Sequence, residues 1–258
     1  MERLLLTLRF DGGAYHGWQV QDNAMTVQQA LQDAIERVTG VRAGVIGCSR
    51  TDAGVHADQF CCTFDTDSRL RGARMVDALN YHLPRDIAVY GCRAVPPGFH
   101  PRYDAAGKRY RYHIWNERAR HPVWARYALH ETRPVDIAPL QQAADAFCGT
   151  HDFAAFCAAG SDVVGTVRTV KECAIAREGG LVTVTVAADG FLYNMVRILV
   201  GTLLDMARGR LDPAGMEAIL ASRDRARAGY TAPPHGLWLT DVFYPKEAFG
   251  PAADEGRA

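Results

Sequence analysis

Val167-Arg168-Thr169-Val170-Lys171-Glu172-Cys173-Ala174-Ile175-Ala176, then Glu178-Gly179-Gly180, then Leu181-Val182-Thr183-Val184-Thr185-Val186-Ala187-Ala188: this stretch decides the fold. β-Branched residues crowd both arms and paired glycines supply the turn, so it reads as an antiparallel hairpin. An apolar helix follows, with Leu192, Val196, Leu199 and Leu203 at helical spacing. Upstream, residues 109–115 alternate strictly, with Arg109, Arg111 and His113 on one face and Tyr110, Tyr112 and Ile114 on the other. Leu140, Ala143, Ala144 and Phe147 mark a helical face ending at Gly149, and residues 237–244 read as a last strand.

The first part of the chain has similar grammar. Residues 4–10 read as a buried strand running into the turn Asp11-Gly12-Gly13. Thr26 and Gln29 form a capping box ahead of Val27, Leu31, Ile35 and Val38, and Gly40 stops that helix. Residues 60–64 are strand-like, 75–82 a short helix closed by Pro84, and 87–95 a strand closed by Pro96-Pro97. The expectation is an α+β fold of two related sheets with helices on one side, joined near residues 97–107. The halves are then 1–100, carrying the loop considered below, and 101–258.

Composition narrows the function classes. Apolar residues make up 48% and charged residues 22% of the 258, which excludes a disordered chain. The longest uncharged run, residues 228–240, holds two prolines and falls short of the about 20 apolar residues a membrane helix needs. Glu2, Arg3 and Arg9 break up the N-terminal apolar stretch, so it is not a secretory signal, and a cytoplasmic location is expected. Seven cysteines with no CxxC pair fit reduced, mostly buried thiols better than disulfides or zinc. Net charge is zero, yet seven basic and two acidic residues lie between His100 and Arg126. Such a cluster suits phosphate contacts, and arginine suits them better than lysine.

Gly47-Cys48-Ser49-Arg50-Thr51-Asp52-Ala53-Gly54-Val55-His56-Ala57 is the segment richest in chemistry. Its glycines permit close backbone approach. Arg50 and Asp52, two apart in an extended loop, admit either a local salt bridge or a carboxylate reserved for nucleophilic work. No nucleophile elbow surrounds Ser49, Asp52-His56-Asp58 has no standard metal spacing, and no Gly-Lys-Ser/Thr makes a P-loop. Arg197 is the one charge between Asp189 and Asp205, in a helix apolar enough to be largely buried. An arginine so placed needs a carboxylate partner, unless it lies at the helix edge. Tyr110 is either a core aromatic or a ring on which a base stacks.

With these residues quoted, the chain resembles bacterial tRNA pseudouridine synthases of the TruA family. The resemblance runs nearly end to end: Phe10-Asp11-Gly12, Tyr15-His16-Gly17-Trp18-Gln19, the signature Arg50-Thr51-Asp52-Ala53-Gly54-Val55-His56, Asn80-Tyr81-His82-Leu83-Pro84, Phe99-His100-Pro101-Arg102-Tyr103, Lys108-Arg109-Tyr110-Arg111-Tyr112, Phe191-Leu192-Tyr193-Asn194-Met195-Val196-Arg197 and Gly236-Leu237-Trp238-Leu239. It implies two ferredoxin-like halves forming a central antiparallel sheet flanked by helices, with the active-site cleft between them, in a homodimer. The implied activity is isomerisation of uridine to pseudouridine at positions 38, 39 and 40 of the tRNA anticodon stem-loop. Asp52 falls on the catalytic aspartate, Arg197 on its partner, Tyr110 on the stacking tyrosine, Leu237 on the apolar residue against the base, and Arg50 on the arginine that displaces the base. No cofactor and no metal are implied, the partner is tRNA, and the membrane plays no part. Arg102, Lys108, Arg109, Arg111, Arg118 and Arg120 are expected to contact phosphates. The acidic tail after Pro245 has no counterpart in the family pattern. The rival reading is a non-catalytic RNA-binding protein on the same fold, which has no use for both Asp52 and Arg197.

Overall fold

Leu4, Leu5 and Leu6 are all buried, so the first strand, β1 (Glu2–Phe10), is covered on both faces. The computed structural model describes residues 1–160 and 165–250, so residues 251–258 of the C-terminal tail lie outside the described residues. The chain forms two compact units: Met1–Ala106 with the segment from Leu239 onward, and Gly107–Trp238.

In the first unit β1 leads to helix α1 (Val27–Thr39), the two-residue strand β2 (Ile46–Gly47), strand β3 (His56–Thr66), helix α2 (Gly72–His82) and strand β4 (Ile87–Val95). Thr26 Oγ1 accepts the Gln29 N–H at 3.3 Å at the start of α1, and Gly40 ends the helix in the left-handed region. β1 is antiparallel to both neighbours, Leu4 lying opposite Phe64 of β3 and Ala94 of β4. β3 is likewise buried on both faces from Phe60 to Phe64. Those paired neighbours put β1 and β3 at the centre of the unit's core.

The second unit contains β5 (Gly107–Trp115), β6 (Leu129–His130), α3 (Ile137–Asp145), β7 (Gly149–Asp152), β8 (Val167–Glu178), β9 (Leu181–Ala188), α4 (Met195–Ala207) and α5 (Met216–Ser222). The expected hairpin is there, β8 and β9 closing at Glu178 opposite Leu181. Its strands continue antiparallel to β5 on one side and β7 on the other, while β6 adds a short parallel pairing to β5. The last strand, β10 (Leu237–Phe243), enters the first unit, where it lies beside β3. Beyond it the rings of Tyr244 and Phe249 pack on Phe99, and the Tyr244 hydroxyl donates to the Pro101 carbonyl at 2.6 Å. Each unit is thus α+β, with helices flanking a mostly antiparallel sheet.

In each unit a side-chain amide pairs with main-chain groups of a strand in the same way. On β4, Val89 exchanges two hydrogen bonds with the Asn80 amide of α2, at 2.7 and 2.8 Å. On β8, Gln141 of α3 accepts from the Ile175 N–H at 2.7 Å and donates to the Cys173 carbonyl at 3.0 Å. A side-chain amide sets an N–H donor beside a carbonyl acceptor, so it imitates a neighbouring strand and satisfies main-chain groups that no strand pairs there.

Several element bounds differ in detail from the sequence: β3 and α2 begin earlier than expected, at His56 and Gly72. α3 ends at Asp145, before Phe147, which is nonetheless fully buried against Phe153 and Phe156. α4 begins at Met195, three residues after Leu192, because Asn194 takes a left-handed conformation. We expect Phe147→Ala to cost about 3–5 kcal/mol in urea denaturation, and Phe243→Ala, at an exposed ring, less than about 0.5 kcal/mol. Burial pushes the Cys61 thiol up to about 12 and raises those of Cys62 and Cys173, whereas Cys148 is exposed. Alkylation at pH 8 should therefore modify Cys148 in the native protein and reach the other three only after denaturation, read by peptide mass spectrometry.

Candidate active site

Asp52 sits in the loop between β2 and β3. The Val55 N–H donates to the Asp52 carbonyl at 3.1 Å across Ala53 and Gly54, and Gly54 has φ +78°. That is a turn whose third position must turn left-handed, which is why glycine stands there. The loop leaves the sheet through a Cys48 N–H bond to the Cys61 carbonyl at 2.8 Å and rejoins it at His56.

Beneath the loop runs the segment from Asp11 to Trp18, and the fit is main chain on main chain. A Cβ at Gly12 would lie 2.0 Å from the Val55 carbonyl oxygen, and one at Gly17 would lie 2.5 Å from that of Thr51. Gly17 also has φ +83°. The Trp18 N–H donates to the Thr51 carbonyl at 3.1 Å, and the Gly54 N–H to the Tyr15 carbonyl at 3.3 Å. Trp18 stacks on Phe60 of β3, with ring centroids 4.1 Å apart, and Gly47 leaves room for that stack. His56 is fully buried, its Nδ1 3.0 Å from Asp11 Oδ1 and 3.1 Å from the Gly12 nitrogen. Asp11 and His56 thereby tie the two segments together. Tyr15 adds a further brace, donating its hydroxyl to Asp86 at 2.6 Å; burial and that carboxylate both raise its pKa, so it stays a donor.

The two charged residues of the motif differ in exposure. Asp52 is half-buried, while Arg50 is exposed and forms no ion pair among the described residues, so a local Arg50–Asp52 salt bridge is not the loop's purpose.

The remaining expected residues lie in the second unit. Tyr110, on β5, is buried and meets the edge of the Phe191 ring, centroids 5.0 Å apart at 86°. Phe191 is a neighbour that its position in the sequence did not reveal. Leu237 is buried at the start of β10, just after the 3-10 turn Pro234–Gly236. Arg197 stands in the first turn of α4, half-buried. Its Nε donates to the Ala232 carbonyl and its Nη1 to Asn194 Oδ1, both at 2.7 Å. Neither of these two acceptors was legible in the sequence.

The basic cluster divides. Arg111, Arg118 and Arg120 are exposed, and Arg102 is half-buried. Lys108 is buried, and Arg109 reaches across β9 to Glu172 at 3.1 Å. Those last two are poorly placed for the phosphate contacts expected of them.

A sequence-family profile described as tRNA pseudouridine synthase matches residues 7–104 and 143–245, which include the Asp52 loop, Arg197 and Leu237. The chain belongs to this family of isomerases, which act in tRNA processing. Among its curated relatives, a tRNA pseudouridine synthase A of Syntrophomonas wolfei is 44% identical over 248 residues, covering 96% of this chain and all of that protein. Proteins of the same name from Thermoanaerobacter sp. (43% identical) and Acetivibrio thermocellus (44%) each cover 95% of this chain and their own full length. Among the described residues no helix is long and apolar enough to cross a membrane.

The loop's geometry yields a direct test. Gly17→Ala adds a methyl group against the Thr51 carbonyl at a left-handed position, so about 2–4 kcal/mol of stability should be lost. Thermal denaturation reads that loss, and isomerase activity should fall further than the remaining folded fraction accounts for.

Proposed function

We propose that this chain isomerises uridine to pseudouridine at positions 38, 39 and 40 of the tRNA anticodon stem-loop, with Asp52 as the catalytic carboxylate. The observation that carries this reading is the Asp52 loop, whose main chain is clamped from below while its half-buried carboxylate belongs to the family's signature. The reaction breaks the N1–C1′ bond, rotates the uracil and rejoins it through C5, which loses its proton while N1 gains one. It imports no group and changes no oxidation state, so no cofactor is called for.

Asp52 attacks C1′, adds to the uracil ring, or takes the C2′ proton; each route needs a carboxylate held against the nucleoside. Arg197 is assigned as its ion-pair partner, with Coulomb attraction fixing where the carboxylate stands. Tyr110 stacks on the base and Leu237 covers its other face. These apolar walls keep water from the ribosyl centre, where it would leave an abasic site in place of an isomer. A stem-loop base must first leave its stack, at a cost of a few kcal/mol. The exposed Arg50 is suited to fill the space left behind, since a guanidinium plane stacks like a base. Arg111, Arg118 and Arg120 provide phosphate contacts, and a cytoplasmic homodimer would present that basic surface twice to one tRNA.

Tritium release from tRNA transcripts labelled at uridine C5 tests the reading, because the new C5–C1′ bond expels that tritium. The native protein should release it equally with and without EDTA, and Asp52→Ala should release none while still binding tRNA. Replacing uridines 38, 39 and 40 with cytidine should remove the release in proportion to the labelled sites lost. Binding without release by the native protein would make this an RNA-binding protein instead.

A further inference from the structure

A helix usually starts from a residue in extended conformation whose side chain accepts a hydrogen bond from the first turn. Asn194 does neither. Its φ and ψ are 59° and 10°, in the left-handed region, and its side chain caps nothing. Its Oδ1 instead accepts from Arg197 Nη1 at 2.7 Å. We propose that Asn194 is a positioning residue for the isomerase reaction, orienting the Arg197 guanidinium; this rests on the assignment of Arg197 as the partner of Asp52.

The second hold on Arg197 is main chain. Ala232 donates its N–H to the Arg197 carbonyl at 3.0 Å and accepts from Arg197 Nε at 2.7 Å, so one residue engages both the backbone and the side chain. Ala232 belongs to a strap, residues 229–233, pressed on α4. A Cβ at Gly201 would lie 1.7 Å from the Tyr230 carbonyl oxygen, and one at Gly229 would lie 2.6 Å from Thr202 Cα. The Gly229 N–H donates to Thr202 Oγ1, and the Tyr112 hydroxyl to the Pro233 carbonyl, each at 2.8 Å. The strap is therefore held on α4 at several points, and the Ala232 carbonyl is one of them.

One fixed acceptor at Nε leaves a guanidinium free to swing about that bond. A second, at Nη1, removes the swing, because the five donors lie in one rigid plane. Asn194 supplies that second point, one helical turn before the arginine. The left-handed conformation is tolerated by asparagine far better than by branched or bulky side chains. Backbone and side chain thus make separate demands on residue 194, and they can be separated by substitution.

Asn194→Gly keeps the left-handed backbone and removes the acceptor; Asn194→Asp keeps both. Steady-state kinetics on the full chain with tRNA, thermal denaturation, and Asp52→Asn as a reference form the experiment. Asn194→Gly should lower kcat about tenfold or more with KM for tRNA within about twofold and an unchanged melting temperature, and Asn194→Asp should return kcat to within about threefold of native. A glycine variant with native kcat, or one whose loss lies wholly in KM or stability, overturns the inference. If Asp52→Asn is inactive in that case, the proposed function stands and the role of Asn194 falls alone. An active Asp52→Asn would overturn both.

Discussion

Beneath Asp52 two pieces of main chain meet with no side chain between them. Gly12 lies against Val55 and Gly17 against Thr51, closer than any Cβ allows. Much of the first unit follows from that approach. It ties the end of β1 to the start of β3, aligns Trp18 over Phe60, and brings His56 to Asp11. A carboxylate carried on such a loop inherits its position from the backbone, which is stiffer than any rotamer.

The second unit uses the same principle on a helix. Gly201 and Gly229 let the strap lie directly on α4, and the strap's carbonyl then holds Arg197. In each unit a charged side chain of the family's pattern stands where glycine has allowed two backbone segments to touch. Rigidity here comes from small residues, whereas the large ones, such as Phe147 with Phe153 and Phe156, supply the apolar burial.

Long elements were legible because their pattern is internal. β4 and β9 have the bounds their sequences predict, residues 87–95 and 181–188, and the capping box located the start of α1. The short elements β2, β6, β7 and α5 were not: they contain too little periodicity to register and owe their form to neighbours, although the seven-residue β10 was visible. The site divides likewise. Asp52 and Arg197 are visible as unusual charges in their settings, one in a glycine loop and one in an apolar helix. Gly12 and Gly17 read as ordinary turn residues, since a contact more than thirty residues away leaves no local trace. Asn194 and Ala232 were hidden because an asparagine in a motif does not announce its φ, nor an alanine the direction of its carbonyl. Lys108 and Arg109 misled because charge alone does not separate a solvent-facing cation from one already engaged within the protein.

The strap leads from Ala232 through the turn Pro234–Gly236 into Leu237, so five positions separate the residue that holds Arg197 from the one that begins β10. At Ala232 its work is done by N–H and C=O groups, which every amino acid except proline possesses. Gaining or losing a single residue between the two would move the arginine's anchor relative to Leu237. The number of residues in this segment is therefore a constraint of its own, beside the burial of Ala232 and the tight fit at Gly236.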